Sequence, residues 1–289
     1  MFGVGAIDTL IGFPTDPEEL YGSMRKLFRD RDSVERFSMP AEYMFKEIPE
    51  HELRAVADPV VATLSEMDRH GIDVGLVSLT AHPEVTHRAL REHPDRFVGA
   101  WTVDPNEGMD GIRKLVRAHS EWGVRAAAFM PHGVVPQVPI DAPLAYVLYA
   151  KCVELAIPVF VTVGVAGPRV PSMVQHVELV DRVMYDFPDL VFVMRHGAEP
   201  WVDLAVKLMV KWPSLCYSTS AFAPRYYPQG IVDYANTRGA DRILYGGYFP
   251  MGLSLDRIFG ELPNVGFKDE VWPKFLRHNA ARVLKLEQE

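Results

Sequence analysis

The chain has 289 residues, 48% of them hydrophobic and 24% charged, with a net charge of −8 and a pI near 5.7. That is ordinary globular composition, enough for one large domain or two small ones, with no basic surplus to neutralise nucleic-acid phosphates. No apolar run reaches the roughly 20 residues of a membrane helix. Cys152 and Cys216 lie in apolar runs without C-x-x-C spacing, so a reducing compartment fits better than a disulfide framework. The opening run MFGVGAIDTL has neither the basic start nor the long apolar stretch of a signal peptide. A cytoplasmic location is the expectation.

Residues 4–8 form a short apolar strand ending in Asp8. Asp16-Pro17-Glu18-Glu19 reads as a helix start, with Asp16 as N-cap and proline in the first turn, and predicts a helix to about residue 31. The rest of 11–58 is a long excursion, rich in Met and aromatics over 38–45, suited to a core patch, an interface or a lid. From residue 59 the pattern is regular. Strands are expected at 73–79, 96–102, 124–130, 158–163, 190–194, 214–218 and 242–246. Helical spacing follows each, as with Val60, Leu64 and Met67, or Leu144, Leu148, Cys152 and Leu155. Helices near 253 and over 271–286 close the chain.

Counting from residue 4, eight short strands apolar on both faces each precede a helical pattern, as a parallel sheet covered by helices requires. The expected fold is α/β, a single (β/α)8 TIM barrel over 1–289 with an insertion at 11–58 after the first strand. No G-x-G-x-x-G follows that strand, which counts against an open doubly wound sheet. In a barrel the site lies at the C-terminal strand ends. Those ends carry Asp8, Met130 to His132, Thr162, Arg195, His196, Ser218 to Ser220 and Tyr248. The run MRHGAEPW at 194–201 stands out, with a histidine just past a strand end, an arginine before it and a helix expected from Pro200.

Several short motifs recur in a fixed order: Ile7-Asp8, DRF at 95–97 with VDP at 103–105, LAIPVFV at 155–161, and DFPDL at 186–190 before His196-Gly197. STSA at 218–221, RILYG at 242–246 with Pro250, and HNAAR at 278–282 complete the series. In this order they resemble the amidohydrolase-related, decarboxylase-like branch of the amidohydrolase superfamily. The resemblance implies hydrolases, lactonases, hydratases or decarboxylases, commonly holding a divalent metal. It also implies a homodimer or larger assembly. The ligand pattern it implies is an H-x-H pair on the first strand, a histidine ending the fifth, often one after the sixth, and an aspartate after the eighth. Here the pair falls on Leu10 and Gly12, the fifth-strand ligand on Thr162 and the eighth-strand aspartate on Tyr248; only His196 keeps its type. A catalytic zinc wants about three protein ligands plus water. No metal and no other cofactor is therefore expected, the alternative being a divalent ion such as zinc held by atypical ligands.

The candidate site has His196 and Asp8 as proton-handling groups, with Arg195, Thr162, Tyr248, Ser220, Arg225 and His132 holding a small-molecule substrate. Each has a plainer reading. His196 is a relic that only packs, Arg195 sits in a structural salt bridge, and Asp8 accepts hydrogen bonds from neighbouring loops. Tyr248 fills the volume a metal would take, Ser218 to Ser220 are polar lining without a G-x-S-x-G elbow, and His132 is a solvated loop residue. Arg225, Tyr226 and Tyr227 form either a cationic, aromatic wall or an oligomer contact. His51, His70, His82, His87, His93 and His119 are expected at the surface. The expected function is a metal-independent hydrolase or carbon–carbon lyase for a small, partly hydrophobic carbonyl, carboxylate or lactone substrate. The alternatives are a ligand-binding pseudoenzyme of the same fold and a metal-dependent enzyme with atypical ligands.

Overall fold

The computed structural model describes residues 3–16, 22–35, 41–45, 48, 49, 53 and 56–286. Eight parallel strands pair in chain order. They are β1 (Ala6–Asp8), β2 (Ile72–Ser78), β3 (Phe97–Thr102), β4 (Ala126–Phe129), β5 (Val159–Thr162), β6 (Phe192–Arg195), β7 (Leu215–Ser218) and β8 (Ile243–Leu244). The last strand meets the first: Thr9 N donates to Tyr245 O at 3.1 Å, Gly12 N to Phe249 O at 2.8 Å and Tyr248 N to Leu10 O at 2.9 Å. The sheet is thus a closed (β/α)8 barrel. Among the described residues, no helix is long and apolar enough to cross a membrane.

Strand alternation sorts the core into two layers. Ile7, Leu76, Ala100, Ala128, Phe160, Val193, Cys216 and Leu244 fill the barrel interior. Their neighbours Ala6, Val77, Ala127, Val161, Met194, Tyr217, Ile243 and Tyr245 face outward, under the helices. Both cysteines are buried and free.

Local signals set the helix ends. Asp58 caps the helix Pro59–His70 by accepting from Val60 N and Val61 N, and left-handed Gly71 ends it. Asp30 accepts from Ser33 N at 2.9 Å and starts a separate short helix, Arg31–Glu35. The continuous helix expected to residue 31 is therefore replaced by a 3-10 segment, Gly22–Leu27, and that new start. Residues 17–21 of that expectation, residues 36–40 and 46–47 of the excursion, and His51 lie outside the described residues. The helix expected over 271–286 is a π segment, Lys274–His278, running into Asn279–Leu284. Asn279 explains the change, turning inward to donate to Ala240 O at 2.7 Å and Ile243 O at 2.8 Å.

The described part of the excursion reaches across the barrel mouth. The Tyr43 hydroxyl donates to Gly167 O beyond β5, and the Arg169 guanidinium lies 5.1 Å over the Tyr43 ring. Arg169 also pairs with Asp30 at 2.9 Å. Phe45 packs on Tyr248 with ring centroids 5.9 Å apart.

Candidate active site

The mouth is built from the ends of β5 to β8. Thr162 and Arg195 are register partners on β5 and β6. Both fall on the inward parity set by Phe160 and Val193. The Thr162 hydroxyl and Arg195 Nε are buried, and neither has a hydrogen-bond partner within the protein. Burial pulls the Arg195 guanidinium down to about 10, with Tyr248 acting weakly in the other direction, so it stays charged at neutral pH.

His196 follows at φ +67°, Gly197 at +100° and Ala198 at +59°. Glycine is required in the middle, because a Cβ at position 197 would stand 2.3 Å from the Phe222 ring. The left-handed turn aims the imidazole back over the barrel. Its Nδ1 and its backbone N both lie 3.3 Å from Ser220 Oγ. Tyr248, also left-handed at φ +78°, meets the imidazole edge-on with centroids 5.5 Å apart. Burial first, then the Arg195 guanidinium and the neighbouring His132, push His196 well below the ordinary histidine range. It is therefore neutral at neutral pH.

His132 is buried, contrary to the solvated-loop expectation, with 4% of its surface exposed. Its Nδ1–H donates to Gln175 Oε1 at 2.6 Å, and Gln175 Nε2 donates to Gly164 O at 3.0 Å. Desolvation lowers its pKa too. Gln175, a fully buried residue of the loop after β5, escapes sequence reasoning because no periodicity marks it.

Two expected site residues are not in this group. Asp8 follows inward-facing Ile7 and turns to the outer layer, beside Tyr245, whose ring packs on Phe259 and Phe275. Arg225 sits on an outer turn and pairs with Glu261 at 3.0 Å, so the expected cationic wall is committed elsewhere. Of its companions, Tyr226 is exposed and Tyr227 is buried. Of the other histidines expected at the surface, His82 is buried, while His70, His87, His93 and His119 are partly exposed. His82 contacts Thr15 Oγ1, His70 and His119 bond to backbone carbonyls, and His87 stacks on Trp122. A groove of about 320 Å³ lies outside the barrel, lined by Met109, Val116 and Lys151 among others, and holds none of these groups.

Residues 36–286 match the family described as Amidohydrolase (Amidohydro_2). The chain belongs to this family. The amidohydrolase is also similar to an uncharacterized TIM-barrel protein from Bordetella bronchiseptica, with 24% identity, a TM-score of 0.77, and 97% of this chain and 98% of that one covered. A 5-carboxyvanillate decarboxylase from Novosphingobium aromaticivorans, with bound manganese and a methoxy-hydroxy-nitrobenzoic acid, gives 15% identity and a TM-score of 0.71, covering 98% of each chain. A dihydroxybenzoic acid decarboxylase from a Polaromonas species, with manganese and 2-nitroresorcinol, gives 17% identity and 0.66, covering 99% of this chain and 98% of that one. At these identities the likeness shows the fold. No curated protein matches the chain.

The mouth of this amidohydrolase does not fit the divalent ion of those decarboxylases. Leu10 and Gly12 offer no donor side chain, Thr162 offers a neutral hydroxyl, and Tyr248 stands against the remaining histidine. The nearby carboxylate, Asp8, faces away, and a guanidinium already occupies the mouth. Among the described residues, no group of three or more His, Cys, Asp and Glu could hold a metal ion.

Proposed function

We propose that this amidohydrolase is a metal-independent enzyme, a single domain over 1–289, acting on a small, partly hydrophobic carbonyl, carboxylate or lactone substrate. The observation that carries the reading is the pair of unpartnered buried donors, Arg195 Nε and the Thr162 hydroxyl, beside a neutral imidazole. Buried donors without partners cost about 1–3 kcal/mol each, and an anionic or carbonyl oxygen would satisfy both. The ligands of the two decarboxylase structures are flat hydroxylated rings, one of them a carboxylic acid. Phe45 and Tyr248 offer an apolar surface to such a ring.

His196, uncharged, takes the proton from a water as its oxygen attacks the carbonyl. Arg195 and Thr162 hold the developing oxyanion, and the imidazolium then returns the proton to the leaving group. Protonating a carbon in a decarboxylation needs a charged histidine at the outset, which this environment disfavours. Hydrolysis is therefore preferred over carbon–carbon cleavage. Ser220 holds Nδ1, leaving Nε2 for the substrate, and His132 lines the same space.

The test uses metal-free, chelator-dialysed protein against a panel of aryl and aliphatic lactones, esters and carboxylic acids. Turnover that survives dialysis and disappears in His196→Gln, with binding kept, is the expected result. Stoichiometric zinc or manganese in the purified protein, lost together with activity, would sink the metal-free reading. A ligand-binding pseudoenzyme is the second reading, favoured by Tyr248 standing where the ligand pattern wants an aspartate. Tight binding of panel members with no turnover of any would support it.

A further inference from the structure

Behind the barrel wall, Asp8 is fully buried between β1, the loop after β8 and the outer helices. Its Oδ1 accepts from Leu10 N at 2.9 Å and Gly247 N at 2.8 Å. Neither its Oδ2 nor the hydroxyl of Tyr245 or of Tyr227 has a partner in well-formed hydrogen-bond geometry, although Tyr245 lies near enough to Asp8 for each to act on the other's ionisation, and Thr219 near enough to Tyr227 to act on its own. These three oxygens belong to one cluster. An ideal Cβ at Gly247 would stand 2.3 Å from Asp8 Oδ2 and 2.9 Å from the Tyr245 hydroxyl, so both oxygens press on the same side of this glycine. Tyr245 and Tyr227 pack on the same ring, Phe275, at 5.9 and 6.3 Å between centroids. The charge of Asp8 bears on both phenols, and the Thr219 hydroxyl lies beside that of Tyr227.

Three unpartnered buried oxygens are costly at about 1–3 kcal/mol each, and one buried water commonly makes about three hydrogen bonds to such groups. We propose that Asp8, Tyr245 and Tyr227 enclose one ordered water, and that this cluster positions Tyr248 in the mouth. The link is a ring of hydrogen bonds. Asp8 Oδ1 holds Leu10 N and Gly247 N together, and Tyr248 N donates to Leu10 O at 2.9 Å. Tyr248 keeps its left-handed backbone only while that ring is closed. Asp8 is thus a positioning residue, acting through Tyr248 rather than on substrate. This inference does not depend on turnover at the mouth.

The titratable and charged groups facing Asp8 are Tyr245 beyond β8 and Tyr227 from the loop after β7. Beyond Tyr227 lies Glu261, paired with Arg225 and Arg257 on the outer layer. Burial raises the Asp8 carboxyl to about 7, while Leu10 N, Gly247 N and Tyr245 pull the other way. A water donating to Oδ2 and anchored by Tyr227 favours the charged form.

A crystal structure of the full chain that resolves waters, together with carbon-13 NMR titration of the Asp8 carboxyl assigned with Asp8→Asn, tests the proposal. One water peak within about 3.2 Å of Oδ2 and both phenols is expected, with an upward shift of roughly half a pH unit or more for Asp8 in Tyr227→Phe. In Asp8→Ala, which removes the acceptor for Leu10 N and Gly247 N, the Tyr248 ring should move away from His196, and in Tyr227→Phe the pH midpoint of benzoate binding should shift with the Asp8 titration. A direct Oδ2–Tyr245 bond without a water, or a monovalent cation in its place, overturns the water site. An unmoved Asp8 titration in Tyr227→Phe does the same. A Tyr248 ring unmoved in Asp8→Ala, or a benzoate profile unchanged in Tyr227→Phe while the Asp8 titration shifts, overturns the positioning role.

Discussion

Burial, the Arg195 guanidinium and His132 all disfavour a proton on His196, and only the Ser220 contact opposes them. The imidazole is therefore a base at rest, available wherever the pH exceeds its depressed value. Replacing it with glutamine keeps the size and a hydrogen-bonding group but removes the basic nitrogen. His196→Gln should lower kcat by about 10²–10⁴, with the dissociation constant of a competitive carboxylate within a few-fold, read by steady-state kinetics and calorimetry. Arg195 acts differently, because its planar fork donates from fixed positions where lysine offers a single point charge. Arg195→Lys should weaken carboxylate binding about tenfold or more, the loss of one charge-assisted hydrogen bond worth roughly 1.5–3 kcal/mol. Equal affinity in Arg195→Lys, measured by calorimetry, would mean that the guanidinium is not a ligand clamp.

The strap over the mouth is held by weak contacts at its surface. The Arg169–Asp30 pair is screened by solvent and the cation over Tyr43 lies on an exposed ring, so neither contact contributes much. The strap is therefore cheap to lift. Arg169→Ala removes both contacts, and the expected outcome is faster association and dissociation of ligand in stopped-flow, with the melting temperature within about a degree or two of the parent. The strap contacts were not legible in the sequence, since they join residues 139 and 124 positions apart. The barrel itself was legible, because each strand buried on both faces leaves an apolar run and each helix a 3.6-residue stripe. The direction of a strand-end side chain was not. Asp8 faces outward because it alternates with inward-facing Ile7, and β1 is too short, at three residues, for its sequence to fix which parity is inward. The burial of His132 and the ion pair of Arg225 are illegible in the sequence for a related reason. Their partners, Gln175 and Glu261, lie 43 and 36 residues away and carry no local signal.

Across the whole molecule, barrel closure rests on the seam between β1 and β8, where β8 has two residues and the remaining pairing is carried by loop backbone. Asp8 ties both sides of that seam, so its ionisation is linked to folding of the entire barrel. The carboxyl is raised in the fold from 3.8 to about 7. Between those values the folded state holds a proton that the unfolded chain has released. Stability from this group is therefore fully present below about pH 4 and falls as pH rises to about 7. Three pH units correspond to on the order of 4 kcal/mol. The depressed His196 and His132 work in the opposite sense, contributing above about pH 6.5 and losing that contribution as pH falls. Comparing a variant with the parent at each pH cancels the histidines. Asp8→Asn keeps an oxygen for Leu10 N and Gly247 N and cannot ionise, so it should melt higher than the parent at pH 8 by several degrees. At pH 5, where the parent carboxyl is protonated, the difference should shrink to a degree or two. A melting difference of the same size at both pH values, measured by calorimetry, would show that the seam does not carry a titrating carboxylate.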